Sequence, residues 1–432
     1  MLNRKIKVLQ LTPHLGGGLG RVLINWVREE RKLKTEVSYT LACLEPTRNA
    51  TEDFSDLKDI LYDDLYTNRD KLTELIKDSD IVVVNWYNHP LLFDILVNYT
   101  FPECRLVCYN HVSSLYPPYN MSSKLLKFFD EMIFTTNASF EAPEITNLNE
   151  SLKSKCSTIE SAFGAEYIEK PKTIKNDFQV GYVGTASYSK LDKNFVKLCT
   201  NVHISDNKIK FIVYTNDSQK HLIEDTEKLN MKNKIFFMGN TKNIFNHLKN
   251  FSVLGYPLQP KHFGTSEQAI GEAMVMGVVP VVMNNLAENY IIEHNKTGII
   301  ADSYEEYSKA IEYLYNNPHQ LKRMSENAHT FAKYRYSLQR KIDSWEKIFI
   351  KVMNFSKKDR FWSRDRSYYD GREVFLESIG DYKDVFTSSD EDIKELFKLN
   401  IQWYSPNKGG VRQYLKYFPD NEYLKKWEKL LD

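Results

Sequence analysis

Two tandem α/β domains of Rossmann-like type, facing across a cleft and followed by a mostly helical extension, are the architecture this sequence predicts. Three observations carry it. Short, almost wholly apolar segments alternate with amphipathic ones through the first half, as in IKVLQL (6–11) and IVVVN (81–85). The same alternation restarts at FQVGYVG (178–184). The last stretch, from Ser356, loses the alternation and turns charged and aromatic. Strands buried on both faces read as continuous hydrophobic runs, and helices between them imply parallel sheets covered on both sides.

The elements follow in order. IKVLQL leads to a helix from about Gly20 to Lys32 and then the strand VSYTLACL (37–44). IVVVN is followed by HPLLFDILVNY as a helix, and RLVCYN (105–110) and MIFTT (132–136) continue the pattern. The first sheet is expected between Met1 and Ser161, within a domain 1–165 that faces the acceptor. The polar stretch Glu166–Asp177, with Lys170-Pro171-Lys172, reads as a linker. A second domain, 176–355, holds strands at 178–184, IKFIVYT (209–215), KIFFMG (234–239), SVLGYPL (252–258) and VVPVVM (278–283), closed by helices between Ser303 and Phe355. The extension 356–432 contains DIKELFKL and NEYLKKWEKLL, both with helical spacing. Its aromatic content fits docking on the first domain, self-association or contact with a membrane-bound acceptor.

Composition narrows the function class. The chain has 432 residues, 42% hydrophobic and 27% charged, which are globular values. Its formal net charge of +1 and lack of a basic stripe argue against a nucleic-acid partner. The five cysteines are scattered, and Cys104 and Cys108 lack a second pair, so buried thiols are expected rather than zinc. The opening MLNRKIKVLQLTP has no long apolar run, and no later stretch reaches the ~20 residues of a membrane span. A cytoplasmic protein is expected, with the inner face of the membrane as an alternative location.

The segment His262–Met283 carries most of the chemistry. Thr265 and Gln268 have capping-box spacing, so a helix is expected to begin there with its first amides turned to the loop Gly264, Thr265, Ser266. Such an end binds anions. Glu272, about one turn further at ~1.5 Å per residue, suits a ribose diol with its two acceptor oxygens. Glu267 either complements the helix dipole or faces sugar hydroxyls. Lys190 and Lys193 follow the strand 178–184 and suit a leaving diphosphate. Gly16, Gly17 and Gly18 open the first helix and let backbone approach a phosphate, although Gly20 falls short of the G-x-G-x-x-G spacing. His111 ends a strand and is either a sugar contact or a satisfied structural histidine. Asp78-Ser79-Asp80 precedes its strand, at the wrong end of the sheet for a ligand, and reads as a solvated turn. No cluster suggests a metal site.

GEAMVMGVVPVV (271–282) followed by AENYIIEHNKTGIIADS (287–303) resembles the nucleotide-binding segment of GT-B glycosyltransferases of family 4, the large retaining family. LTPHLGGGLGRVLINWV (11–27), NHVS (110–113) and VGYVGTASYSKLDK (180–193) are similar to its glycine-rich loop, cleft histidine and diphosphate loop. The resemblance spans roughly 1–350 and is most specific over 255–301. Two positions depart from it. Gly264 stands where the first glutamate of the family pair belongs, leaving Glu267 as the nearby candidate, and Thr185 stands where the family carries an arginine.

The resemblance implies a metal-independent, retaining transferase that uses a nucleoside-diphosphate sugar of UDP or GDP type and no other cofactor. His111, Glu267 and Lys190 would be catalytic; Gly16, Gly17, Gly264, Thr265, Ser266, Glu272 and Lys193 would hold the nucleotide sugar. The acceptor would be a glycan, lipid-linked or other molecule. The alternatives are a nucleotide-sugar epimerase of the same fold, or a non-catalytic sugar- or nucleotide-binding protein on a decayed transferase scaffold. Oligomeric state is left open.

Overall fold

The computed structural model describes residues 4–47, 53–171, 177–204, 209–215, 219–241 and 243–431. Its contacts divide the chain into two compact units. One runs up to Glu160 and resumes at Lys341; the other is Ser161–Arg340. The sequence reading set its boundaries at 165–176 and 355–356; residues 172–176 of the expected linker, Lys172 among them, lie outside the described residues.

The first unit contains β1 (Ile6–Thr12), β2 (Val37–Cys43), β3 (Leu61–Tyr62), β4 (Ile81–Trp86), β5 (Phe101–Cys104), β6 (Leu106–Asn110), β7 (Glu131–Phe134) and β8 (Cys156–Thr158). Seven of these form a parallel sheet of order β3-β2-β1-β4-β6-β7-β8. β1 pairs with β2 through Ile6↔Val37 and with β4 through Val8↔Ile81. Every residue of β4 is buried, as a strand covered on both faces requires. Because β1 lies between β2 and β4, the chain reverses its direction of winding there. Open α/β sheets bind ligands outside the carboxyl ends of the strands at such a switch.

The second unit repeats the scheme with β9 (Gln179–Val183), β10 (Lys210–Tyr214), β11 (Ile235–Gly239), β12 (Val253–Tyr256), β13 (Val279–Met283) and β14 (Ile299–Ala301). Their order is β11-β10-β9-β12-β13-β14, all parallel. The switch point here lies between β9 and β12. Glycines permit the packing: a Cβ on Gly181 in β9 would lie 2.0 Å from the Phe251 ring. The helices Tyr304–Asn316, Pro318–Arg335 and Leu338–Met353 close the series as expected.

The aromatic tail is ordered into the first unit. β15 (Lys358–Arg360) pairs antiparallel with β5, through Lys358↔Cys104. The helices Gly371–Ser378, Asp390–Leu399, Val411–Tyr417 and Glu422–Lys429 follow. Phe375, Phe397, Trp403, Tyr414 and Trp427 join Trp86, Phe93 and Phe101 in one apolar core. Arg360 pairs with the buried Asp130, and Lys124 lies 2.9 Å from Glu377.

Several expectations need correction. The first helix is Gly17–Leu33, so Gly17 and Gly18 are helical and only Gly16 stands outside, as N-cap. Asp80 is buried rather than solvated. It accepts two bonds from Arg4, at 2.6 and 2.7 Å, and one from the Lys7 amide, clamping the start of β1. Cys43, Cys104, Cys108 and Cys199 are buried thiols, whereas Cys156 is half-buried. Among the described residues no helix is long and apolar enough to cross a membrane.

Candidate active site

The loop after β12 brings the chemistry of the second unit together. The helix that follows is Gln268–Val275, with Glu267 as N-cap at φ +25° and no side-chain cap. The expected capping box between Thr265 and Gln268 is therefore absent, and Thr265 does not open the helix. Ser266 is committed elsewhere: its hydroxyl accepts the Ser161 amide at 3.3 Å and its carbonyl accepts the Tyr336 hydroxyl at 2.9 Å. The Gly264 amide donates to His262 Nδ1 at 2.9 Å, so it is not turned to a phosphate.

These commitments bend the loop so that Glu267 folds back. A Cβ built on Gly264 would lie 1.8 Å from Glu267 Oε1. The Glu267 carboxylate thus fills the space into which a side chain at 264 would project, and 264 is the position where the resemblance expects a glutamate. Glu267 Oε2 accepts the Tyr256 hydroxyl at 2.7 Å and pairs with Lys190 Nζ at 2.9 Å. The loop after β9 sets Lys190 by backbone: its amide donates to Ser187, and its carbonyl accepts from Gln259. Glu267 is 8% exposed and Tyr256 not at all. Burial alone would raise the Glu267 carboxyl, but the Lys190 ammonium with the His262 and Tyr256 contacts holds it below the usual range. Burial and the neighbouring carboxylate push the Tyr256 hydroxyl far up, so it stays a donor.

Beside this pair sits a second. His262 Nε2 and Glu288 Oε2 are 3.0 Å apart and both residues are buried. Because Nδ1 accepts the Gly264 N–H, the neutral ring carries its hydrogen on Nε2, facing Glu288. Burial opposes a second proton, and the Glu288 carboxylate outweighs it, raising the imidazole. One ligand atom from each of His262, Glu267 and Glu288 falls within 4.8 Å of the others, a grouping able to hold a metal ion. Lys190 and the Gly264 amide engage Glu267 and His262, whereas the buried Glu288 Oε1 has no hydrogen-bond partner.

Glu272 is buried, at 5% exposure, on the same helix. Lys193 is exposed. Gly184, at φ +146°, ends β9 with its α-carbon side facing the Tyr256 hydroxyl, which a Cβ would approach to 3.4 Å. The group therefore lies at the β9/β12 switch point. Tyr256, His262 and Glu288 are absent from the sequence-derived site. Tyr256 reads as one more apolar strand residue, and no spacing links His262 to a glutamate 26 positions away.

In the first unit the expected residues lie at the carboxyl edge of the sheet. His111 follows β6; its Nε2 meets Asn85 Oδ1 at 3.0 Å and its amide donates to Trp86. Burial, then the Lys341 and Lys408 charges, hold this imidazole neutral, well below its usual value. The structural and ligand readings of His111 are thus both served by a neutral ring. Gly16 donates its amide to His14 Nδ1 at 3.1 Å, while Gly17, at φ +67°, is exposed.

No curated protein sequence matches the chain. Residues 165–331 match the family model described as Glycosyl transferases group 1. Solved structures match over more of the chain. A glycosyltransferase from Rickettsia africae ESF-5 superposes with a TM-score of 0.62 at 14% identity, covering 81% of this chain and 99% of its own. HepE of Anabaena, in complex with UDP-glucose, gives 0.63 at 17%, over 80% and 100%. TarM of S. aureus gives 0.66 at 14%, over 81% and 99%. At these identities the likeness is one of fold. The chain therefore has the two-Rossmann-domain GT-B fold of these glycosyltransferases, and its residues 165–331 are a match to the group 1 glycosyltransferase family.

Proposed function

We propose that this protein is a retaining, metal-independent glycosyltransferase that moves a sugar from a UDP- or GDP-type donor to a saccharide or lipid-linked acceptor. The carrying observation is the Glu267 carboxylate, lying where a side chain at Gly264 would project and paired with Lys190 at 2.9 Å. It supports Glu267 as the stand-in for the first family glutamate. HepE, solved with UDP-glucose, and TarM, solved with UDP and α-GlcNAc-glycerol, lend the donor and acceptor classes support.

In this reading Glu272 takes the ribose diol, and Lys190 leaves Glu267 for the diphosphate as negative charge grows on it. Glu267, freed, faces the sugar hydroxyls. Gly264, Thr265 and Ser266 bound this pocket through their backbone, and Lys193 adds a cation at its rim. In the first unit, His111 offers a neutral hydrogen-bonding group for a sugar, and Gly16 and Gly17 a backbone edge for a phosphate.

The test is a thermal-shift panel of UDP, GDP and their sugars in EDTA, with Glu272→Ala as control. A ligand at a hundred times its dissociation constant adds about 2.7 kcal/mol. Stabilisation by one nucleotide, lost in the variant, is expected. Transfer in EDTA to a saccharide, with the donor's anomeric configuration kept in the product, completes the assignment. Epimerised donor without acceptor, or binding with no turnover on any acceptor, would replace it.

A further inference from the structure

The tail reaches the switch point of the first sheet. Gly409 packs on Asn88, just after β4, so closely that a Cβ would lie 2.4 Å from Asn88 Nδ2. Tyr414 donates to Asn88 Oδ1 at 2.8 Å, and Tyr417 donates to Glu45, just after β2. The turn that carries Lys408 is locked: the Lys408 and Gly409 amides both donate to Gln413 Oε1, at 2.8 and 2.7 Å. Lys408 itself sits at φ +94°, a conformation strained for any residue but glycine.

That turn lays the Lys408 ammonium 4.8 Å over the Tyr87 ring. The Tyr87 oxygen is 2.5 Å from His14 Nε2. Since His14 Nδ1 accepts the Gly16 amide, the Nε2 hydrogen points at Tyr87, whose own hydroxyl hydrogen is left to face away. His89 lies next to both rings, 5.5 Å from Tyr87 and 5.9 Å from His14, and is 1% exposed. Its Nδ1 has no hydrogen-bond partner. A buried polar nitrogen left unpaired is unfavourable, so a ligand group that bonds it is favoured. Glu45, the carboxylate here, is engaged by Tyr417 and lies 3.7 Å from His89. Burial holds both imidazoles below their usual value; Glu45 opposes this at His14, and the tail ammonium groups of Lys408 and Lys416 add to it at His14 and His89.

Resting on the proposed transferase reading, we infer that the tail segment 408–417 completes an acceptor subsite at the β1/β4 switch point, and that Lys408 selects acceptors whose sugar carries an anionic group. The Lys408 ammonium and Tyr87 hydroxyl supply donors for a phosphate or carboxylate, the aromatic rings a face for the sugar, and His89 Nδ1 a partner for one hydroxyl. Nucleotide binding belongs to the second unit and does not involve Lys408.

The experiment titrates the full chain, saturated with UDP, with glucose 6-phosphate, glucuronate and glucose, followed by saturation-transfer NMR. At least one anionic sugar is expected to bind tenfold or more tightly than glucose, and the two anions together separate phosphate from carboxylate recognition. Lys408→Gly suits φ +94°, so it folds without the strain, and Lys408→Gln keeps the side-chain length. Both should lower anionic-sugar affinity to that of glucose and leave the UDP thermal shift intact. Equal binding of all three sugars, no binding of either anion, or unchanged affinity in both variants would overturn the inference. Loss of anionic-sugar binding in Glu272→Ala would also overturn it, by putting the anion in the nucleotide site. Failure of the UDP response alone strikes the transferase reading instead.

Discussion

Gly264 and Glu267 make the sharpest claim at the scale of single residues. Alanine at 264 would set a Cβ 1.8 Å from Glu267 Oε1 and 2.7 Å from His262 Nδ1, so both side chains must move. Displacements of that order cost catalysis about a hundredfold. Gly264→Ala is therefore expected to lower kcat by one to two orders of magnitude while keeping the thermal shift with nucleotide, in steady-state assays. Lys341 makes a second claim. It is buried against Trp26 and Tyr109, at 4.5 and 5.2 Å from their rings, with no hydrogen-bond partner for Nζ. Burial lowers it to about 7, and Glu30 only partly opposes that. Its folded value lies below its unfolded one, so the unfolded chain binds the extra proton between about pH 7 and 10.5. The resulting penalty is full below pH 7 and lifts as pH rises through that window. Lys341→Met should raise stability by a few kcal/mol at pH 6–7 and flatten the rise, read by denaturant melts across pH.

At the scale of elements, caps separate what a motif suggests from what a helix uses. Thr265-x-x-Gln268 has capping spacing, yet the helix starts at Gln268 without a side-chain cap. Thr265→Ala should therefore not show the ~1 kcal/mol signature of a lost N-cap. Ser303 does cap, accepting the Glu306 amide at 3.1 Å, and Ser303→Ala should cost about 1 kcal/mol in the same melts. The capping box failed because Glu267 is drawn toward Lys190 and Tyr256, a tertiary pull stronger than a local cap. Strands were more legible. β4 and β6 lie where their apolar runs stand, because every residue in them is buried, and β1 and β2 lie where mostly apolar runs predicted them. β3, β5, β8, β14 and β15 are two to four residues long and edge-placed or partly exposed, so no run marks them.

At the scale of the whole molecule, the tail is a structural part of the first unit. Trp362, Phe375, Trp403 and Trp427 share a core with β4 and β6. Each such aromatic buries enough area that exposing several together outweighs the ~5–15 kcal/mol stability of a typical domain. Truncation after residue 355 is expected to give an insoluble or molten first unit, seen as aggregation in size-exclusion chromatography, rather than a soluble core. The aromatic content admitted docking, self-association and membrane contact alike; the packing of these side chains shows docking on the first unit.

Hydrophobic runs and helical spacing alone placed the two parallel sheets, the helices after Ser303 and Glu272 on a helix, because such patterns are local and survive without knowledge of partners. Tertiary structure alone decided that Glu267 fills the place beside Gly264, that His262 meets Glu288, and that Lys408 lands on Tyr87. His262 and Glu288 are 26 positions apart and Lys408 and Tyr87 more than three hundred, while Glu267 is turned back on Gly264 by Lys190 and Tyr256; chain closure of that kind leaves no periodicity along the sequence to read.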